Sequence, residues 1–176
     1  MKLKELLEMS SEEMDEALQE LRIDDPGVSF STQQVANFEI DGMKYKCDFF
    51  ESITGDGKRI VEVKFYLLNN PKSPKRSDFK TDRQYQIALK KSQLGIAGTG
   101  NAFKVLSAVC TAIKKYIENN TPDYISFTAD EENRQKLYEA ILRWASKYIS
   151  GYNRVNYNPL SGVESGPEEF WLEKTI

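Results

Sequence analysis

The segment Leu89-Lys90-Lys91-Ser92-Gln93-Leu94-Gly95-Ile96-Ala97-Gly98-Thr99-Gly100-Asn101-Ala102 decides how the rest of the chain is read. It places three glycines within six residues. Glycine tolerates positive φ and lets backbone approach a ligand with no side chain in the way. Just downstream, Phe103, Leu106, Cys110, Ile113 and Ile117 form one apolar stripe, and Val105, Val109, Ala112 and Tyr116 form an adjacent one. That spacing predicts a helix packed broadly against a sheet, with Lys104, Ser107, Thr111, Lys114, Lys115 and Glu118 left for its polar face. The last glycine then stands at or just before a helix N-terminus, where unpaired N–H groups and the positive dipole end favour an anion. Upstream, Tyr85, Ile87 and Leu89 alternate and predict a strand. Strand, glycine turn and helix together make a phosphate cradle; the plain alternative is a glycine-softened loop that binds nothing.

Working outward toward the N-terminus, Asn69-Asn70-Pro71-Lys72-Ser73-Pro74 breaks the chain, and before it lies a β region. Phe38 and Ile40 alternate ahead of Asp41-Gly42, a hairpin signal, and Met43, Tyr45, Cys47 and Phe49 alternate after it. A turn at Thr54-Gly55-Asp56-Gly57 leads to a third strand through Val61, Val63, Phe65 and Leu67. Residues 1–25 predict an N-terminal helical segment, with Ser10-Ser11-Glu12-Glu13 as a capping box. In the other direction, Tyr124-Ile125-Ser126-Phe127 reads as a strand, and Thr128-Ala129-Asp130-Glu131 as a second capping box. That box opens a helix carrying Leu137, Ile141, Trp144 and Tyr148 on one face. Short strands are expected near 151–157 and at Phe170-Trp171-Leu172. Strand, helix and strand over 84–128 predict a right-handed crossover with its two strands parallel. The expected class is α+β: an antiparallel meander followed by a β-α-β-α unit, with an N-terminal helix, all within a single domain over 1–176.

Composition narrows the chemistry. A chain of 176 residues with 40% hydrophobic and 29% charged residues is large and apolar enough for a core. Net charge is −3, so no global basic field points to nucleic acid. Residues 1–25 nevertheless hold nine acids against three bases, and residues 72–91 hold seven bases against two acids. The basic stretch is either a solvated loop or an attraction for a phosphate-bearing ligand. Two cysteines, Cys47 and Cys110, in segments read as strand and helix, indicate a reducing compartment. With no signal peptide and no apolar run long enough to span a bilayer, a cytoplasmic protein with no membrane partner is expected. Histidine is absent. That removes Ser-His and Cys-His nucleophiles and imidazole bases, and with so few cysteines no metal site is expected.

The order of these elements resembles the GNAT superfamily of acyl-CoA-dependent N-acyltransferases, most clearly over 84–142. Gly98-Thr99-Gly100-Asn101-Ala102 is similar to the family's pyrophosphate loop, and Leu137-Tyr138-Glu139 to its Leu-Tyr-Glu, whose tyrosine hydroxyl lies near the thioester sulfur. The phrases Gly98 to Lys104, Ile125 to Asp130 and Lys136-Leu137-Tyr138 also resemble small proteins encoded by tailed bacteriophages. Departures accompany the likeness. Gly95 stands where the fingerprint has Gln or Arg, Glu131 where the family usually has Asn, and the usual Gly-Phe after the tyrosine is missing.

The resemblance implies acetyl-CoA or another acyl-CoA as cofactor and an amine as substrate. Backbone N–H groups of Gly98, Thr99, Gly100, Asn101 and Ala102 would hold the pyrophosphate. The edge of Leu89-Lys90-Lys91 would pair with the pantetheine amides as an added strand does. Tyr138 would protonate the departing thiolate, and Glu62 is the candidate base, with water as its alternative. Two further readings stay open. One is a non-catalytic interaction protein on the same fold, for example a phage product acting in the host cytoplasm on a host or viral protein. The other is nucleic-acid binding through 72–91, against which stand the acidic net charge and the lack of a recognisable binding signature.

Overall fold

Short apolar alternations divided by tight turns are what a β-meander requires. The computed structural model describes residues 10, 12, 13, 16, 27–68, 74–93, 102–128, 135, 138, 139, 141–143 and 149–175, of which 90–93, 102 and 103 by backbone alone. The meander is β1 (Ser29–Thr32), β2 (Val35–Ile40), β3 (Met43–Ile53) and β4 (Arg59–Leu67). A 3-10 turn (Arg76–Asp78), α1 (Asp82–Gln93) and α2 (Ala102–Asn120) follow, then β5 (Tyr124–Thr128), β6 (Tyr152–Val155) and β7 (Glu169–Lys174). One seven-stranded mixed sheet runs β1-β2-β3-β4-β5-β7-β6, so the chain is α+β as its sequence predicts. Every neighbouring pair is antiparallel except β4 and β5, which are parallel. Asp41 and Gly42 both take positive φ, 51° and 78°, the backbone that a tight two-residue hairpin between Ile40 and Met43 demands.

Alternation in the strands sorts one face of the sheet for the core. Cys47 pairs with Phe65 and Phe49 with Val63, and all four are buried with α2 in one cluster. The Tyr116 ring of α2 stacks on Phe49 at 4.2 Å, and its phenol donates to Glu51. Residues 105–113 are all buried. Ser107 and Thr111 are among them, so α2 is enclosed on part of the side that its sequence pattern left to solvent, while Lys104, Lys114 and Glu118 are exposed as expected. Cys47 and Cys110 are free thiols in this core, and burial pushes both well above the ordinary thiol range, which makes them inert packing groups.

The strand expected at Tyr85, Ile87 and Leu89 is a correction: those residues lie in α1. Thr81 caps it, its Oγ1 accepting from the Gln84 N–H at 3.2 Å and its carbonyl from the Tyr85 N–H at 3.2 Å. Tyr85, Ala88 and Leu89 are half-buried while Gln84, Gln86 and Ile87 are exposed. The i, i+3, i+4 pattern outcompetes the two-residue alternation in a stretch of good helix formers. The crossover therefore starts from β4, the strand that is parallel to β5. At the N-terminal side, Ser10 and Glu13 make the reciprocal capping bonds at 2.8 and 3.2 Å, and Glu12, Glu13 and Glu16 are helical. The rest of the N-terminal segment, and the capping box from Ala129 onward, lie outside the described residues.

One corner fixes the parallel pair. The Asp123 carboxylate accepts from the Arg59 N–H at 2.7 Å, the Asp123 N–H donates to the Arg59 carbonyl at 2.9 Å, and the Lys174 N–H donates to the Asp123 carbonyl at 2.9 Å. Beside it the Tyr152 phenol donates to the Pro122 carbonyl at 2.5 Å. Asp123→Ala should lower stability by about 1.5–3 kcal/mol, the weight of a hydrogen bond to a charged group, measured by urea unfolding. Burial, with Asp123 nearby, pushes the Tyr152 phenol from 10.0 up to about 12. The unfolded chain ionises this phenol first, so its stabilising contribution is whole below pH 10 and is lost as pH rises toward 12. Tyr152→Phe should cost stability at neutral pH yet make the alkaline decline shallower, as read from denaturation midpoints across pH 9 to pH 12.

Candidate functional site

Parallel strands joined by a helix expose a weak point where their pairing stops. The β4–β5 ladder consists of Ile60↔Tyr124, Val61↔Ile125 and Glu62↔Ser126. Beyond it β4 continues to Leu67 and β5 to Thr128. On its other side β4 stays paired with β3 as far as Tyr45↔Leu67. Past Glu62, among the described residues, no strand pairs with the β5-facing edge of β4. The ladder stops there while both strands run on.

Tyr138 packs against both strands past this point. Gln135, Tyr138, Glu139, Ile141, Leu142 and Arg143 are helical, and Tyr138, Ile141 and Leu142 belong to the core. The Tyr138 ring meets Phe65 of β4 at 6.0 Å, Phe127 of β5 at 5.4 Å and Phe170 of β7 at 6.2 Å, in tilted or edge-to-face geometry. Such pairs contribute about 0.5–1.5 kcal/mol each beyond the area they bury. Tyr138 is 1% exposed, whereas the proton donor that the resemblance implies has to reach a bound thioester. Glu62 stands at the last rung of the ladder, facing away from Val61 and Val63 as its strand position predicts, with Lys64 Nζ 3.1 Å from its carboxylate. It and Tyr138 therefore lie on opposite faces of the sheet, and the structure does not bring the two together.

The remaining expected site residues divide. Leu89, Lys90 and Lys91 are helical, which corrects the expectation that they offer a strand edge. Gly98, Thr99, Gly100 and Asn101 lie outside the described residues. Ala102 is the first residue of α2, so the helix begins where the glycines end, as its sequence pattern predicts.

On the face that carries Glu62, a second cluster was hidden in the alternation of β3. Asp48 is 8% exposed. It accepts from the Tyr66 phenol, and its other oxygen lies 2.9 Å from Lys46 Nζ, which also sits 5.9 Å above the Tyr66 ring. Burial and then Asp48 push the Tyr66 phenol well above the ordinary range, so it serves Asp48 as a neutral donor. Every second residue of a strand alternation reads as solvated. What buries Asp48 is a neighbour across the ladder, and only the register of β3 on β4 reveals it.

A cleft of about 490 Å³ opens next to Tyr138, its wall including Glu139, Arg154, Glu164, Ser165, Glu169 and Phe170. Phe170 lines the cleft and also contacts the Tyr138 ring. Arg154 pairs with Glu139 at 3.2 Å, and the Asn158 amide donates to Glu169 at 2.9 Å. Among the described residues no group of three His, Cys, Asp or Glu side chains converges as a metal site would require, and no helix is long and apolar enough to cross a membrane. No family model, no curated protein and no solved structure matches the chain.

Tyr138→Ala should cost about 3–5 kcal/mol, because it empties a ring site between three phenyl groups. A cost below about 1 kcal/mol in urea unfolding would show that this ring does not hold the three strands together.

Proposed function

We propose that the chain is an acyl-CoA-dependent N-acyltransferase-like protein that moves an acyl group, acetyl in the simplest case, to an amine. The observation that carries this reading is that the parallel β4–β5 ladder stops at Glu62 and Ser126 while β4 runs on to Leu67, with β5 entered from a helix that starts after the glycines. An extended pantetheine arm has amides that pair with an open strand edge, and β4 beyond Glu62 has that edge where Leu89 to Lys91 have none. The diphosphate would sit against the amides of Gly98 to Ala102 at the start of α2.

In the reaction the amine nitrogen attacks the thioester carbonyl carbon, and the carbon–sulfur bond breaks. The thiolate takes a proton from Tyr138, and the new ammonium loses its extra proton to water. Glu62 takes no part in this scheme, since it is ion-paired with Lys64 on the opposite face. The cleft beside Phe170 is the entrance for the amine. A second reading, a non-catalytic interaction protein on the same fold, is favoured by one observation: Tyr138 is sealed between Phe65, Phe127 and Phe170.

Calorimetry with coenzyme A and acetyl-CoA separates the two. Micromolar binding is expected, and an absence of heat at millimolar ligand would leave the interaction protein. Given binding, Tyr138→Phe should leave CoA affinity unchanged and lower acyl transfer by about 10²-fold, the behaviour of a group used mainly in the transition state.

A further inference from the structure

We propose that the cleft between the β1–β2 turn and the last turn of α2 binds a planar, hydrogen-bonding ring of the nucleobase class. The cleft measures about 510 Å³, and Phe30, Gln33, Lys115, Tyr116, Asn119 and Asn120 line it. Phe30 is the half-buried aromatic of its lining, and the core backs it. Phe30 stacks on Phe49 at 5.9 Å and 24°, and Phe49 stacks on Tyr116 at 4.2 Å and 0°. Phe49 and Tyr116 are each 1% exposed, and the Tyr116 phenol is held by Glu51, so they brace Phe30 from within the core and leave its half-buried ring as the aromatic surface of the cleft.

The polar groups around this surface are amides. Asn119 Nδ2 donates to the Lys115 carbonyl at 2.8 Å and Asn120 Nδ2 to the Tyr116 carbonyl at 3.0 Å. Each amide therefore turns its nitrogen toward the helix and keeps its carbonyl oxygen, with the second N–H, for a ligand. Gln33, exposed at the turn, supplies another donor and acceptor. Amide side chains that offer a donor and an acceptor side by side match the edge of a base, and the Phe30 ring receives its face.

Other ligand classes fit less well. A cation finds the α2 carbonyls already capped, since Asn120 O accepts from Arg59 Nη1 at 2.6 Å and Ile117 O from the Thr121 N–H at 3.0 Å. An anion finds Lys115 engaged with the Val28 carbonyl at 2.9 Å. A purely apolar ligand would take three amides out of water with nothing in exchange. A neutral ring with its own donors and acceptors meets every group. The inference does not depend on acyl transfer, because the cleft lies at the far end of α2 from the glycines.

The test is a ¹⁵N-edited NMR titration of the full chain with adenosine, guanosine, cytidine and uridine, repeated with a short single-stranded oligonucleotide. Sub-millimolar binding of at least one nucleoside is expected, with shifts at Gln33 and Asn119. Phe30→Leu and the exposed pair Gln33→Ala with Asn119→Ala should each weaken it by about tenfold. If only the oligonucleotide binds and the same variants weaken it equally, the base is presented by a strand and the site stands. Absence of binding by every probe, or binding that these variants leave unchanged, overturns the proposal. The paired surface variant keeps the test decisive should Phe30→Leu unfold the edge.

Discussion

Asp123 is the constraint on which the sheet depends. A parallel pair cannot close through a tight turn, so β4 and β5 need a helical crossover that delivers β5 in register. Asp123 supplies that register, using its side chain on one Arg59 group and its backbone on another, while its own carbonyl receives β7. Arg59 in turn reaches back to the end of α2 through Asn120, and to Glu51 on β3. Helix end, both parallel strands and the C-terminal strand thus meet at one pair of residues.

From that corner the sheet runs in the direction of Leu67. The face under α2 is closed by aromatic contacts in series: Phe30, Phe49 and Tyr116 at one end, Phe65, Tyr138, Phe127 and Phe170 at the other. The opposite face is of another kind. There Lys46, Asp48, Glu62, Lys64 and Tyr66 form a cross-strand ladder of charge and phenol, with Lys64 also 5.6 Å above the ring of Phe50. Ile60, Tyr124 and Trp171 make a small apolar patch nearer the corner.

Much of this is legible in the sequence where local and tertiary signals agree. Asp41-Gly42, the alternations of β3 and β4, the long helix of α2 and the apolar run of β5 each carry their own pattern, and each forms as that pattern predicts. The failures share a cause. In α1 a two-residue alternation coincides with helical spacing, and helix-forming composition with the Thr81 cap prevails. Strand β1 reads as Ser-Phe-Ser-Thr, too short to show a period, and owes its existence to β2. Ser107, Thr111 and Asp48 are polar residues buried by partners distant in sequence, which no local pattern encodes. For the site, Tyr138 was legible as a residue of interest, but its environment was not: three phenyl rings from three strands converge on it, and their convergence is a property of the sheet alone.

The three-rung ladder between β4 and β5 also divides the sheet in time. On one side β1 to β4 are linked by short turns and pair with sequence neighbours, contacts that close with little loss of chain entropy. On the other, β5, β7 and β6 come from beyond a crossover of more than fifty residues. The meander is thus the half that can assemble early, and the seam must wait for α2 to dock and for Arg59 and Asp123 to meet. With only three rungs to hold it, that seam is the narrowest join between the two halves of the sheet.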